Sequence, residues 1–443
     1  MVNLDVAPRL PFQAAGRLHP VQIVRVKLNS ANFIAVNFRV GFAVRHRISI
    51  LVLLSLALGV VSGCSKPHRL QAVPDDLYVD AVVPGMPEIR YFVDEDPKPI
   101  VRVAVEAAKR EKEHLASKGL PGPLPRAYLL AISGGGDNGA FGAGLLVGWT
   151  EAGTRPEFKV VTGVSTGALT APFAFLGPEY DDQLRKVFTT ISADDIRDRR
   201  SFLDAIFGDG LSDTTPLWNL IRRHIDEPML EAIAEEYSKG RLLFIATTNL
   251  DAQRSVIWNI GEIAQSGHPE ALNLFRRILV ASASIPGAFS PVMIDVEADS
   301  KRYQEMHVDG GTVAQVFIYP PSIKLEKVTE TYGVGRERVL YVIRNARLDP
   351  QWASVERSIF DISARAIESL IQSQGVGDLY VIYLQSQRDN LDYNLAFIPP
   401  DFDVPHKEIF DTVYMNQLFD YAYGLSKDGY PWGKHPPGYA PVH

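Results

Sequence analysis

The sequence predicts an α/β protein: a mostly parallel sheet with helices packed on both faces. Three observations point there. Short apolar runs without polar alternation, at residues 127–132, 241–250, 338–344 and 379–384, are what strands buried on both faces require. Stretches with apolar residues at helical spacing separate them. Two strand–turn–helix units also follow one another directly between Arg126 and Ala171, and strands that alternate with helices pair in parallel.

The chain begins with a segment that reads as targeting. Arg45-His46-Arg47 precedes an apolar run of 14 residues, Ile48 to Val61. That run is short for a bilayer span and has the flank of a signal peptide. It ends in Val61-Ser62-Gly63-Cys64, small residues before the single cysteine. This resembles a bacterial lipoprotein signal. The resemblance implies that Cys64 is lipidated and tethers the protein to a membrane of the cell envelope. With Ser65 next, it implies the outer membrane, facing the periplasm. Residues 1–43 precede the basic flank, and translation is expected to start nearer that flank. With Cys64 acylated, no thiol remains for a disulfide, a nucleophile or a thiolate metal site.

Residues 65–125 read as a lead-in. A proline-rich acidic stretch, 74–99, is irregular. A helix over 100–118 follows, with Lys109-Arg110-Glu111-Lys112-Glu113 as a solvated face, and Pro121-Gly122-Pro123 stops it. Residues 126–345 read as the catalytic core. Its first unit is a strand at 127–132, the loop Ser133-Gly134-Gly135-Gly136-Asp137-Asn138-Gly139, and a small-residue helix at 140–151. The second is a strand at 158–162, the turn Gly163-Val164-Ser165-Thr166-Gly167, and a helix from near Ala168. Residues 177–236 are helical and polar, broken at 207–211, and either line an acyl groove or simply pack. A strand at 241–250 turns through 251–254 to a partner at 255–260. A helix at 272–282 and a strand at 338–344 complete the core. Residues 346–443 read as a helix (353–374, with Ile359, Ile362, Ala366 and Leu370 at helical spacing), a last strand (379–384) and a final helix (406–425), completing the same domain. An aromatic tail, 429–438, is irregular and packs on the body.

Two loops carry chemistry. Consecutive glycines let backbone N–H groups point into one concavity, and the following helix start adds positive potential. Such a loop suits an anion or a developing oxyanion. Gly163-Val164-Ser165-Thr166-Gly167 is Gly-x-Ser-x-Gly at a strand-to-helix turn, which exposes a serine nucleophile at the carboxyl edge of a sheet. Gly134, Gly136 and Gly139 also fit Gly-x-Gly-x-x-Gly, but the second strand does not end in the acidic residue a dinucleotide site needs. No Gly-Lys-Ser/Thr follows, so a P-loop is excluded. No His-Glu-x-x-His or comparable ligand cluster appears, and no metal or cofactor is expected.

Downstream lie Ala281-Ser282-Ala283-Ser284-Ile285-Pro286 and Met306-His307-Val308-Asp309-Gly310-Gly311. Glycine loop, serine elbow, Ala-Ser-x-x-x-Pro and Asp-Gly-Gly, in that order, resemble the patatin-like phospholipase family. The resemblance implies a three-layer α/β/α patatin-like fold and hydrolysis of lipid carboxylic esters through a Ser165–Asp309 dyad. It assigns Ser165 as nucleophile, Asp309 as base and Gly134, Gly135 and Gly136 as oxyanion loop. Asn138, Gly139, Gly163, Gly167, Gly310 and Gly311 support them. In the family's loop a basic residue precedes the last glycine; here that place is Asn138. A Ser-His-Asp triad would need His307, His406, His435 or His443, each of which reads as structural. A catalytically inactive membrane-tethered binding protein is the alternative of a different class. Nucleic acid is excluded by charge. The chain carries a net −7. Residues 1–64 hold seven Lys/Arg and one acid, a net +6, which leaves −13 on the body, without the basic footprint phosphates need.

Overall fold

Three of the four apolar runs, at 127–132, 241–250 and 338–344, become strands of one nine-stranded mixed sheet. The computed structural model describes residues 69–190, 198–199, 212–407 and 410–439; the signal segment with Cys64, and His443, lie outside the described residues. In chain order the elements are β1 (Arg90–Phe92), α1 (Lys98–Ser117), β2 (Ala127–Ile132), α2 (Gly139–Glu151), β3 (Phe158–Val164), α3 (Thr166–Leu176) and α4 (Asp181–Thr189). A separate two-stranded ribbon pairs β4 (Asp198–Arg199) with β5 (Ser212–Asp213). Then come α5 (Thr215–His224), α6 (Glu227–Ser238), β6 (Leu242–Asn249), β7 (Arg254–Asn259), α7 (Ile260–Gln265), α8 (Ala271–Ser282), β8 (Val292–Ala298) and β9 (Lys301–Asp309). The chain continues through α9 (Leu325–Tyr332), β10 (Arg338–Arg344), α10 (Ile359–Arg388), β11 (Leu391–Phe397) and α11 (Thr412–Lys427).

The strand order is β1-β7-β6-β3-β2-β10-β11, and β6, β3, β2, β10 and β11 run parallel. β7 and β1 extend one side antiparallel. The key join lies on β6. β3 pairs with β6 as far as Val164 opposite Ala246. β9 then pairs antiparallel with the remainder of β6, beginning with Asp309 opposite Thr247. Those β6 residues also pair with β7 on their other edge, so β9 occupies the edge that β3 leaves. The ends of β3 and β9 therefore meet at neighbouring positions of one strand. Helices cover both faces, giving a three-layer α/β/α arrangement.

Helix α2 owes its small residues to close packing. Cβ atoms at Gly144 and Gly148 would lie 2.2 Å from the Phe419 carbonyl oxygen and from Ser426 Oγ of α11. A larger residue at either position would push the C-terminal helix off the helix that begins at the glycine loop. The aromatic tail packs on the body: Trp432 meets Trp149 at a tilt (4.8 Å between centroids) and Tyr341 edge-to-face (4.7 Å).

Several expectations require correction. Residues 379–384 are the second half of α10, not a strand. Leu379, Ile382 and Tyr383, at helical spacing, are buried, while Val381 and Leu384 are exposed, a three-to-four-residue period that a short apolar run conceals. The last strand is instead β11, whose pairing with β10 completes the parallel set. The helix expected at 353–374 is the first half of α10, but Ile359, Ile362, Ala366 and Leu370 are exposed, so this stripe is not core. The final helix starts at Thr412, capped by Asp411 accepting from Val413 and Tyr414 N–H, rather than at His406. The short strand before Asp309 belongs to a long hairpin with β8. In the lead-in, β1 adds an edge strand. Glu111 is 3% exposed and paired with Lys159 (3.0 Å) and Arg336 (2.6 Å), not solvated. Among the described residues, no helix is long and apolar enough to cross a membrane.

Candidate active site

Ser165 stands between β3 and α3 with φ 55° and ψ −125°, a conformation that L-residues avoid and that surrounding structure must impose. The flanking glycines show how. A Cβ on Gly163 would lie 2.5 Å from the Gly167 carbonyl oxygen, and one on Gly167 would lie 2.3 Å from that of Ile132. Only glycine lets the turn fold this tightly against β2. The strain is also held from outside: Ser165 N–H donates to Ser282 Oγ (3.0 Å), and Ser282 Oγ donates to the Ala246 carbonyl (2.7 Å).

Asp309 ends β9. Its carboxylate accepts from Gly311 N–H (2.7 Å) and interacts with the Ser165 side chain. It is 5% exposed. Burial pushes its pKa up to about 7, against the opposing effect of the bonds from Ser165 and Gly311. Desolvation of the charged form wins because those two donors replace only part of the lost hydration. The carboxyl group thus changes charge near neutral pH, as a general base should. The segment at Ser282–Pro286 serves both partners, since Asp309 N–H donates to the Ser284 carbonyl (2.9 Å).

The glycine loop lies beside Ser165: a Cβ on Gly134 would be 3.8 Å from Ser165 Oγ. Gly134 N–H is already committed to the Gln315 carbonyl (3.0 Å). Among the described residues, the N–H groups of Gly135 and Gly136 have no such partner. Gln315 connects the two loops, because its Nε2 donates to the Gly311 carbonyl (2.7 Å). Asn345 is fully buried and pins the strand end, donating from N to Ser133 Oγ (2.9 Å) and from Nδ2 to the Ser133 carbonyl (2.9 Å), and accepting from Gly142 N–H (3.0 Å). Asn138 accepts from Tyr414 Oη (2.7 Å) and ties the loop to α11.

No described histidine completes a triad. Because the Glu305 carboxylate beside Nε2 can only accept, the neutral His307 ring carries its proton on Nε2 and its Nδ1 accepts from Thr247 Oγ1 (2.8 Å), which itself accepts from Trp258 Nε1 (2.8 Å). His307 Nε2–H donates to Glu305 (3.0 Å). Burial lowers the His307 pKa, consistent with this neutral tautomer. Glu305 is also paired with Arg90, so the network braces β9 from behind. His406 bonds Asp137 (2.5 Å) and His435 bonds Tyr383 (3.1 Å). Asn249 caps a turn by accepting from Asp251 (3.0 Å) and Ala252 (3.2 Å) N–H and takes no part in the site.

An apolar cleft opens at Ser165. Leu169 of α3, Val187 and Phe188 of α4, Leu217 and Leu220 of α5, Phe289, and Met415 of α11 line it, with Gly136 at its polar end. The polar helical stretch after the elbow therefore contributes an apolar wall. A larger apolar cavity lies at the opposite ends of the strands, between α1, α9 and the sheet, and includes neither Ser165 nor Asp309. Among the described residues, no group of three His, Cys, Asp or Glu could hold a metal ion.

Sequence reading found the two loops and missed their braces. Gln315 lies in a segment without a motif. Arg344 and Asn345 end an apolar strand with two polar residues, and in parallel sheets strand carboxyl ends are where sites form; that was the available signal.

Residues 130–320 match the family model described as Patatin-like phospholipase. No curated protein matches the chain. Among solved structures, the chain is similar to VipD from Legionella pneumophila, with 11% identity over 69% of this chain and 66% of that one and a TM-score of 0.35. It is also similar to full-length ExoU, crystallised with SpcU, from the type III secretion system of Pseudomonas aeruginosa, with 14% identity over 69% and 52% and a TM-score of 0.17. The chain thus spans between about half and two thirds of these structures. At such scores the fold assignment stands on the strand order and register above.

Proposed function

With residues 130–320 a patatin-like phospholipase domain, we propose that this protein is a serine hydrolase of lipid carboxylic esters. The observation that carries the reading is a strained, buried serine facing a carboxyl group that titrates near neutral pH, at the mouth of an apolar cleft. The cleft holds the acyl chain. Ser165 Oγ attacks the ester carbonyl carbon and gives its proton to Asp309. The carbonyl electron pair moves onto oxygen, and the oxyanion takes hydrogen bonds from Gly135 and Gly136 N–H. The tetrahedral intermediate collapses by expelling the alcohol, which receives the proton from Asp309. Water, deprotonated by Asp309, then attacks the acyl carbonyl, and the second tetrahedral intermediate expels Ser165 Oγ, which takes the proton back from Asp309 as the acid leaves. Because Gly134 N–H is used internally, the oxyanion role narrows to Gly135 and Gly136.

The test is labelling of the full chain with a fluorophosphonate and turnover of esters of increasing acyl length. A label on Ser165 with turnover rising from short to long acyl chains is expected. No label and no turnover on folded protein would favour a binding protein over an enzyme. The same reading puts the site at a membrane through acylated Cys64, in the bacterial envelope on the outer membrane's periplasmic side. Metabolic labelling with a fatty acid should mark the parent and not Cys64→Ala; equal labelling would end that idea.

A further inference from the structure

We propose that Arg344, at the carboxyl end of β10, is a positioning residue that strengthens the oxyanion-binding N–H of Gly135. The inference rests on the hydrolase reading above. Arg344 is 2% exposed. No acid forms an ion pair with it among the described residues, and Asp378 acts on it only through its field. Its Nη1 lies 3.3 Å from the Gly134 carbonyl oxygen, 3.3 Å from Ser133 Oγ and 3.4 Å from Gln315 Oε1. The Gly134 oxygen also accepts from Ser133 Oγ (2.7 Å).

The Gly134 carbonyl and the Gly135 N–H are the two ends of one peptide unit. That unit is conjugated, so a cation and a hydroxyl donor at its oxygen draw electron density from its nitrogen. The N–H becomes a stronger donor, and hydrogen bonds in such chains reinforce one another. Gly134 N–H cannot take this role, because it donates to Gln315. Asn138, the polar side chain of the loop, is neutral and engaged with Tyr414.

A buried cation without a counter-ion in contact is costly. Burial lowers the Arg344 pKa to about 10, which still leaves it charged at neutral pH. In the resting protein carbonyl, hydroxyl and amide dipoles compensate it at contact distance, and the Asp378 carboxylate adds its field without forming an ion pair. The oxyanion formed during acyl transfer brings a further negative charge, relayed to Arg344 through the Gly134–Gly135 peptide unit. The field is therefore in place before the charge develops, which is the arrangement that lowers a barrier rather than tightening substrate binding.

The effect is separable from Asp309. The raised pKa of Asp309 traces to burial, Ser165 and Gly311, with no contribution from Arg344. Ester turnover by the full chain should be measured for the parent, Arg344→Met, Arg344→Lys and Gly375→Ala, with thermal unfolding alongside. A Cβ on Gly375 would lie 2.4 Å from Arg344 Nη2, so Gly375→Ala displaces the guanidinium without removing its charge. Arg344→Met is expected to lower kcat by about 10- to 100-fold, somewhat less than loss of a direct oxyanion donor. KM and the acidic limb of the pH profile should stay unchanged. Arg344→Lys should recover part of kcat, and Gly375→Ala should fall between. If Arg344→Met does not fold, the other two decide: partial kcat in both supports the inference, and parental kcat in both overturns it. A folded Arg344→Met with parental kcat overturns it while the hydrolase reading stands. Losses in Arg344→Met and Arg344→Lys that are equal and track melting temperature also overturn it, in favour of a packing role. A parent that neither turns over ester nor labels at Ser165 overturns the hydrolase reading, and the inference with it.

Discussion

Ser165→Ala is expected to abolish ester turnover, by about 10⁴-fold or more, and to lose the fluorophosphonate label. Ser165→Gly should lose both as well, yet unfold at a higher temperature than either the parent or Ser165→Ala. The first effect follows from the proposed chemistry, in which Oγ is the attacking atom and Ser165 is the side chain that hydrogen-bonds Asp309. The second follows from the backbone. Serine and alanine both carry a Cβ at φ 55° and ψ −125°, a conformation costing on the order of 1–3 kcal/mol. Glycine does not incur that cost, although its freer unfolded chain returns part of the gain. A net rise of about 1 kcal/mol remains. Such a result would show the usual opposition between activity and stability at the proposed nucleophile. Full turnover by Ser165→Ala would remove the nucleophile assignment. A Ser165→Gly variant less stable than Ser165→Ala would show that the turn is not strained.

Asp309→Asn should lower kcat by about 10³- to 10⁴-fold, and the parent should show the matching pH dependence. The base must be ionised, and its pKa is about 7. kcat/KM should therefore fall about tenfold per pH unit below 7 and level off above it. Stability runs the other way. The folded pKa lies above the unfolded one, so between them the folded state binds more protons than the unfolded state. Stability associated with this group is present at low pH and is lost as pH rises through 7. Asparagine carries no charge at any pH. Asp309→Asn should thus be more stable than the parent by up to about 4 kcal/mol above pH 7, and the difference should vanish toward pH 4. A pH-rate profile flat between 5 and 8, or an Asp309→Asn advantage that grows on acidification, would contradict this account.

The parts whose requirements are local were legible from the residues alone. Gly163 is read from spacing because the clash that forbids a Cβ there arises within the turn itself, against Gly167 and Ala168; Gly167 is legible from the same motif, although its own clash is with the end of β2. The strand at Ala127–Ile132 matches expectation to the residue, because a strand buried on both faces must be apolar throughout. Local pattern failed where two structures share one composition. Residues 379–384 have a strand's composition and a helix's burial, and only their packing on the sheet distinguishes the two. Ile359 to Leu370 have a core helix's spacing, yet stand exposed.

Tertiary structure decided what the motifs do together. Ser165 and Asp309 are far apart along the chain. They meet because β3 leaves the edge of β6 at Ala246 and β9 joins it at Thr247. No spacing rule encodes that handover, since pairing register depends on two strands at once. The same holds for Ser282, Gln315, Arg344 and Asn345, which touch the catalytic loops from other elements. The proton affinity of Asp309 was equally beyond the sequence: an aspartate titrates near 4 in water, and only enclosure by the assembled fold moves it to about 7.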